Sequence, residues 1–162
     1  MLNRKKLIFR YIFWGVALAV ATFIFINSAK VATDSTQISK GFTNQLFKIF
    51  WPNFSALDLE NQAYIISASQ LFVRKSAHFL VFFALGFSVA AALKTYPLTN
   101  LKVLIFAQII STSYAISDEL HQLFVQGRAG RVYDVLLDSA GALCGIIFII
   151  FTVLWFKHLK GK

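Results

Sequence analysis

The chain has 162 residues, 57% of them hydrophobic, and a mean hydropathy of +0.65. Soluble domains are only about half apolar, so this composition excludes most soluble classes and specifies a small integral membrane protein, read as a single domain over 1–162. The net charge of +9 does not mark a nucleic-acid binder, because the basic residues flank apolar stretches rather than gathering on one polar face.

The first apolar span, about 7–26, follows Arg4, Lys5 and Lys6 and contains Arg10 near its start. Crossing the hydrocarbon core takes about 20 apolar residues, and a basic leading flank keeps that end in the cytoplasm. A cleaved signal peptide is the rival reading, but this apolar run is long for one and no small-x-small site follows Asn27. An outer loop over 27–75 comes next. Within it Ile38, Phe42, Leu46, Ile49 and Phe50 recur at helical steps, which predicts an amphipathic interfacial helix ending near Trp51-Pro52. The alternative is a loop helix that only covers the bundle.

The stretch 57–73 is mixed in character and expected to be helical in its second half; it leads through Arg74-Lys75-Ser76-Ala77-His78 into the second span, expected over 76–93. Gly86 and Ala90 place a small-residue strip on it. The third, about 101–117, carries a polar stripe of Gln108, Ser111, Ala115, Asp118 and Gln122, which must face protein or water rather than lipid. A turn at Gln126–Gly130 leads to the fourth span, about 133–156, where Gly141 and Gly145 have the spacing of closely packed membrane helices. The fold class is therefore all-α and polytopic, with about four transmembrane helices plus the interfacial one.

With both termini cytoplasmic, that side collects Arg4, Lys5, Lys6, Arg10, Lys94, Lys102, Lys157, Lys160 and Lys162 and no acid; all seven acidic residues fall outside. The orientation follows from the basic flanks. Four of those seven acids lie between Ser117 and Asp138, with one histidine and two arginines. Charges beside apolar spans normally face a bundle interior or a cavity, which makes them site candidates. The candidate outer pocket is Lys75, His78, Asp118, Glu119, His121, Gln122, Arg128, Arg131, Asp134 and Asp138, with Arg74 beside it.

Three readings of this set stay open. It is a mutually neutralising network that locks helices together, in a structural or assembly subunit. It is an intramembrane enzyme acting on a lipid-linked phosphate or peptide, with Asp118 or Glu119 orienting His121 as a base and the arginines holding phosphate. Or it is a binding pocket for an anionic lipid or a lipid-linked cell-wall precursor. No cofactor is expected, and the neighbouring arginines and the absence of paired histidine spacing argue against a metal.

The block Tyr114–Gly145, containing Ser-Asp-Glu-Leu-His-Gln, Gly127-Arg128 and Asp134 through Asp138, resembles the signature of VanZ-like membrane proteins of Gram-positive bacteria. Lys75-x-x-His78-Phe79, Leu85-Gly86 and the passage from Ile24-Phe25 into the Ser28 region extend the likeness over nearly the whole chain. Val81-Phe82, Gln126 and Ala129 depart from the pattern, and the charged set does not. The resemblance implies a polytopic membrane protein of the cell envelope and a link to lowered susceptibility to teicoplanin and related lipoglycopeptides. It also implies that Lys75, His78, Asp118, Glu119, Gln122, Arg128, Asp134 and Asp138 carry the function.

Overall fold

Asp58 and Thr99 show how the sequence starts its helices. The Asp58 carboxylate accepts from the Asn61 amide at 2.7 Å and the Thr99 hydroxyl from the Lys102 amide at 3.3 Å, each satisfying a donor that a helix N-terminus leaves open. In the computed structural model, which describes residues 4–160, these caps open two of five α-helices. They are α1 (Arg4–Ser28), α2 (Ala32–Phe50), α3 (Leu59–Leu93), α4 (Asn100–Gln122) and α5 (Val132–Lys160). A single turn of 3-10 helix, Phe54–Ala56, links α2 to α3, and the described residues contain no strand. The all-α reading holds.

Proline stops α2 as expected. Trp51, which precedes Pro52, leaves the helical region for extended backbone, because a proline ring crowds a helical residue before it. The helix begins as early as Ala32, however, and takes the polar segment Thr33–Gln37 into its first turns. Asp34 there suits the positive end of the helix dipole. Most of the apolar stripe faces away from the bundle: Ile38, Phe42, Ile49 and Phe50 are exposed and Leu46 is half-buried, while Thr43 is buried.

The helix that contains the second expected span begins at Leu59, ahead of Ser76, so the mixed stretch before it is helical from Leu59 onward and not only in its second half. With the Asp58 cap in place and no glycine or proline from Leu59 to Phe83, nothing interrupts it. At 35 residues α3 is about 52 Å long, against a hydrocarbon core of about 30 Å. Its first half pairs with α2, where Gln70 Nε2 donates to Thr43 Oγ1 at 3.3 Å. Phe54, fully buried, closes the connection against Phe47 and Trp51.

α3 and α5 run parallel and meet backbone to backbone. A Cβ added at Gly141 would run into the Phe79 carbonyl oxygen, one at Gly145 into that of Phe83, and one at Gly86 into that of Ala142. Only glycine permits this approach, as the spacing indicated. α1 crosses α3 antiparallel. At that end Arg10 donates to the Thr95 hydroxyl at 3.1 Å and stacks over the Tyr96 ring at 3.7 Å, and Trp14 Nε1 donates to Tyr96 at 3.3 Å. The core between the helices is Phe82, Leu85, Val89, Val103, Ala107, Ala115 and Ile146.

Three helices, α1, α3 and α5, are long and apolar enough to cross a membrane. Their outward faces, including Ile12, Phe23 and Ile26 on α1 and Ile147, Phe148 and Phe151 on α5, are exposed apolar surface far beyond what water tolerates. This is a membrane protein. α4 is more polar because its stripe turns inward: Ser111, Ala115, Asp118 and Gln122 are all buried, and Gln108 donates to Thr112 Oγ1 at 2.9 Å and the Ser139 carbonyl at 3.1 Å.

Candidate functional site

At the end of the bundle opposite Arg10 and Tyr96, three segments converge. α3 delivers Arg74, Lys75 and His78, α4 delivers Glu119 and Gln122, and the α4–α5 turn with the start of α5 delivers Arg128, Arg131, Asp134 and Asp138. These residues line one cavity of about 250 Å³, whose rim is completed by Ala32 at the start of α2. Gly127 makes the turn possible with φ at 74°, a conformation glycine adopts without strain. Eight of the ten sequence candidates thus share the cavity.

The other two stand behind or beside it. Asp118 is buried against α1, where its Oδ2 accepts from Ser28 Oγ at 2.9 Å and from Gln122 Nε2 at 2.9 Å. His121 turns the other way and stacks on Phe25 with ring centroids 4.7 Å apart. Its Nδ1 is buried without a hydrogen-bond partner, and among the described residues no carboxylate contacts it. The orienting pair expected for a base is therefore not formed there.

The lining divides into bonded and unbonded charges. Glu119 is held by the Arg131 backbone amide at 2.9 Å and by Gln122 Nε2 at 3.2 Å. Lys75 pairs with Asp134 at 2.6 Å and lies over the Tyr133 ring at 4.2 Å. Arg128 spends its donors on the Lys30 carbonyl at 3.0 Å and the Asn27 carbonyl at 3.1 Å, with Gln122 Oε1 at 3.4 Å. The Asn27 carbonyl belongs to the last turn of α1 and the Lys30 carbonyl to the turn that follows it, so Arg128 caps that end of the helix from across the bundle. Burial pulls its guanidinium below the ordinary arginine value, Arg74 adds to this, and Asp118 and Glu119 oppose it. Arginine starts so far above neutrality that the charge stays.

Among the described residues, no carboxylate comes within ion-pair distance of the Arg74, Arg128 or Arg131 side chains. Asp138 is the converse case. It is fully buried, neither carboxylate oxygen holds a hydrogen bond, and the nearest basic side chain is that of His78, whose Nδ1 lies 3.7 Å away, beyond hydrogen-bond reach. Sequence reasoning did not single out Ser28 as a partner or the carbonyls of Asn27 and Lys30 as acceptors. A lone serine closing an apolar run was the available signal for the first; main-chain acceptors leave none.

Fold and site together define a helical membrane protein with a charged cavity at one end of its bundle. The chain matches the family described as VanZ/LLP1 over residues 13–155 and belongs to it, as a VanZ-like cell-envelope protein. The match takes in every residue that lines the cavity. No curated protein and no solved structure matches the chain.

Proposed function

We propose that this protein is a single VanZ-like domain crossing the cell membrane four times, with both termini cytoplasmic and its charged cavity open to the outer side. There it binds an envelope component that carries an anionic group and hydrogen-bond donors, and so lowers susceptibility to teicoplanin and related lipoglycopeptides. The observation that carries this reading is the pairing of unmet needs in one cavity. The Arg74 and Arg131 side chains hold neither a hydrogen bond nor a carboxylate, Arg128 beside them is held by carbonyl oxygens but has no carboxylate partner, and Asp138 is buried with both oxygens unbonded. Buried polar groups are nearly always satisfied, so a ligand with an anionic end and a hydroxyl or amine would complete both halves. Four crossings are supported by α4, whose 23 residues reach about 34 Å and whose polar face is covered by protein.

The second reading, a purely structural network, is favoured by the Ser28–Asp118–Gln122 contacts and by the capping role of Arg128. Arg74 separates the two. It is exposed and its side chain holds no hydrogen bond or ion pair, so Arg74→Gln removes charge from the cavity without breaking a lock. In a Gram-positive host, the wild type is expected to raise the inhibitory concentration of teicoplanin. At equal membrane abundance, Arg74→Gln and Arg74→Gln/Arg131→Gln are expected to lose that protection. Full protection by the double variant would remove the binding reading and leave the structural one.

A further inference from the structure

A second cavity, of about 310 Å³, lies between α1, α2 and α3. Its deep wall is apolar, made by Ile24 from α1 and by Val81 and Phe82 from α3, with the exposed Ala77 nearer the opening. Arg74 and His78, one helical turn apart on α3, line both this groove and the charged cavity. From that shared boundary the groove follows α3 for two turns, about 12 Å, from Arg74 to Phe82. Its rim includes Phe23, Ile38 and Phe42, all exposed and continuous with the apolar outer surface of the bundle. A hydrocarbon chain at that surface would reach the groove sideways without passing through water.

We propose that the ligand is an amphiphile bound across both cavities: a long-chain phosphate whose anionic head lies among Arg74, Arg128 and Arg131 while its chain lies in the groove under α2. This deepens the reading under Proposed function and rests on it, adding the chain and its location. Charge complementarity selects the head, since three arginines without carboxylate partners face a phosphate better than any neutral group. Continuity selects the chain. A soluble phosphate would need only the charged cavity, whereas the apolar groove begins at the same two side chains and leads away from water. The exposed apolar stripe of α2 then has a role as the groove's outer lip, through Ile38 and Phe42.

Native mass spectrometry of the full chain from mixed micelles tests this with three probes: hexadecyl phosphate, glycerol phosphate without a long chain, and hexadecanol without the charge. The wild type is expected to retain hexadecyl phosphate about tenfold or more over either control, since buried methylenes and the paired charge both contribute. Ala77→Trp fills the groove from α3 and Ser39→Trp from α2, so a folding failure in one leaves the other informative. Each is expected to lower hexadecyl phosphate retention about tenfold toward the level of glycerol phosphate. If both folded variants retain hexadecyl phosphate as the wild type does, or if glycerol phosphate is held equally well, the chain site is wrong while the charged-cavity reading stands. If the wild type retains no phosphate-bearing probe, both fall.

Discussion

Asp118 and Asp138 are both buried carboxylates, and their surroundings set them apart. Asp118 accepts two hydrogen bonds, from Ser28 and Gln122, so it closes a contact between α1 and α4. Asp118→Ala leaves those donors unpaired in a low-dielectric interior and is expected to cost about 1–3 kcal/mol. Thermal unfolding in detergent checks this. Ser28→Ala in the Asp118→Ala background should then add less than it costs alone, the mark of two groups in one contact. An additive result would mean the pair does not interact. Asp138 has no hydrogen bond to lose. Asp138→Asn is therefore expected to keep membrane abundance, by immunoblot, near that of the wild type. The sequence placed both acids among the site candidates and had no means of distinguishing them, because burial was legible from their positions and bonding partners were not.

At the scale of elements, the parallel contact of α3 and α5 rests on three glycines. Gly145→Val is expected to push the helices apart and cost about 1–3 kcal/mol as overpacking, measured by the same unfolding assay. Gly15 and Gly41 are the internal controls. Both have open space where a Cβ would go, so Gly15→Ala and Gly41→Ala should leave stability unchanged or raise it by up to about 1 kcal/mol. Wild-type stability for Gly145→Val would mean that α3 and α5 do not approach so closely. The Gly141/Gly145 pair was legible because four-residue spacing survives in the sequence as a pattern. The full extent of α3 was not, since its first half is compositionally mixed and its continuity shows only as an absence of breakers.

For the whole molecule, the basic residues Arg10, Lys94 and Lys157 collect at one end and the charged cavity at the other. Burial, with Lys157 nearby, pulls Lys94 below its ordinary value, which fits that crowding of like charges. The sidedness is open to a direct test in a Cys144→Ser background. Gln126→Cys, at the cavity end, is expected to react with a membrane-impermeant maleimide on intact cells, and Lys102→Cys only after permeabilisation. The reverse pattern would invert the orientation and place the cavity in the cytoplasm.

From the sequence alone came the membrane class, the helical character, the inward polar face of α4 and the membership of eight cavity residues. The first three follow from composition or from a local period of 3.6 residues, which is written along the chain, and the last from charges placed beside the same ends of the apolar spans. Tertiary structure decided which neighbour each face meets. Asp118 and His121 lie only about 60° apart around α4, yet one bonds to Ser28 and the other stacks on Phe25. Arg128 became a cap for α1 because the chain folds back to bring it to the Asn27 and Lys30 carbonyls. The second cavity exists because α2 lies across the gap between α1 and α3. Contacts between distant segments depend on how closely backbones approach, and no periodicity within one segment encodes that distance.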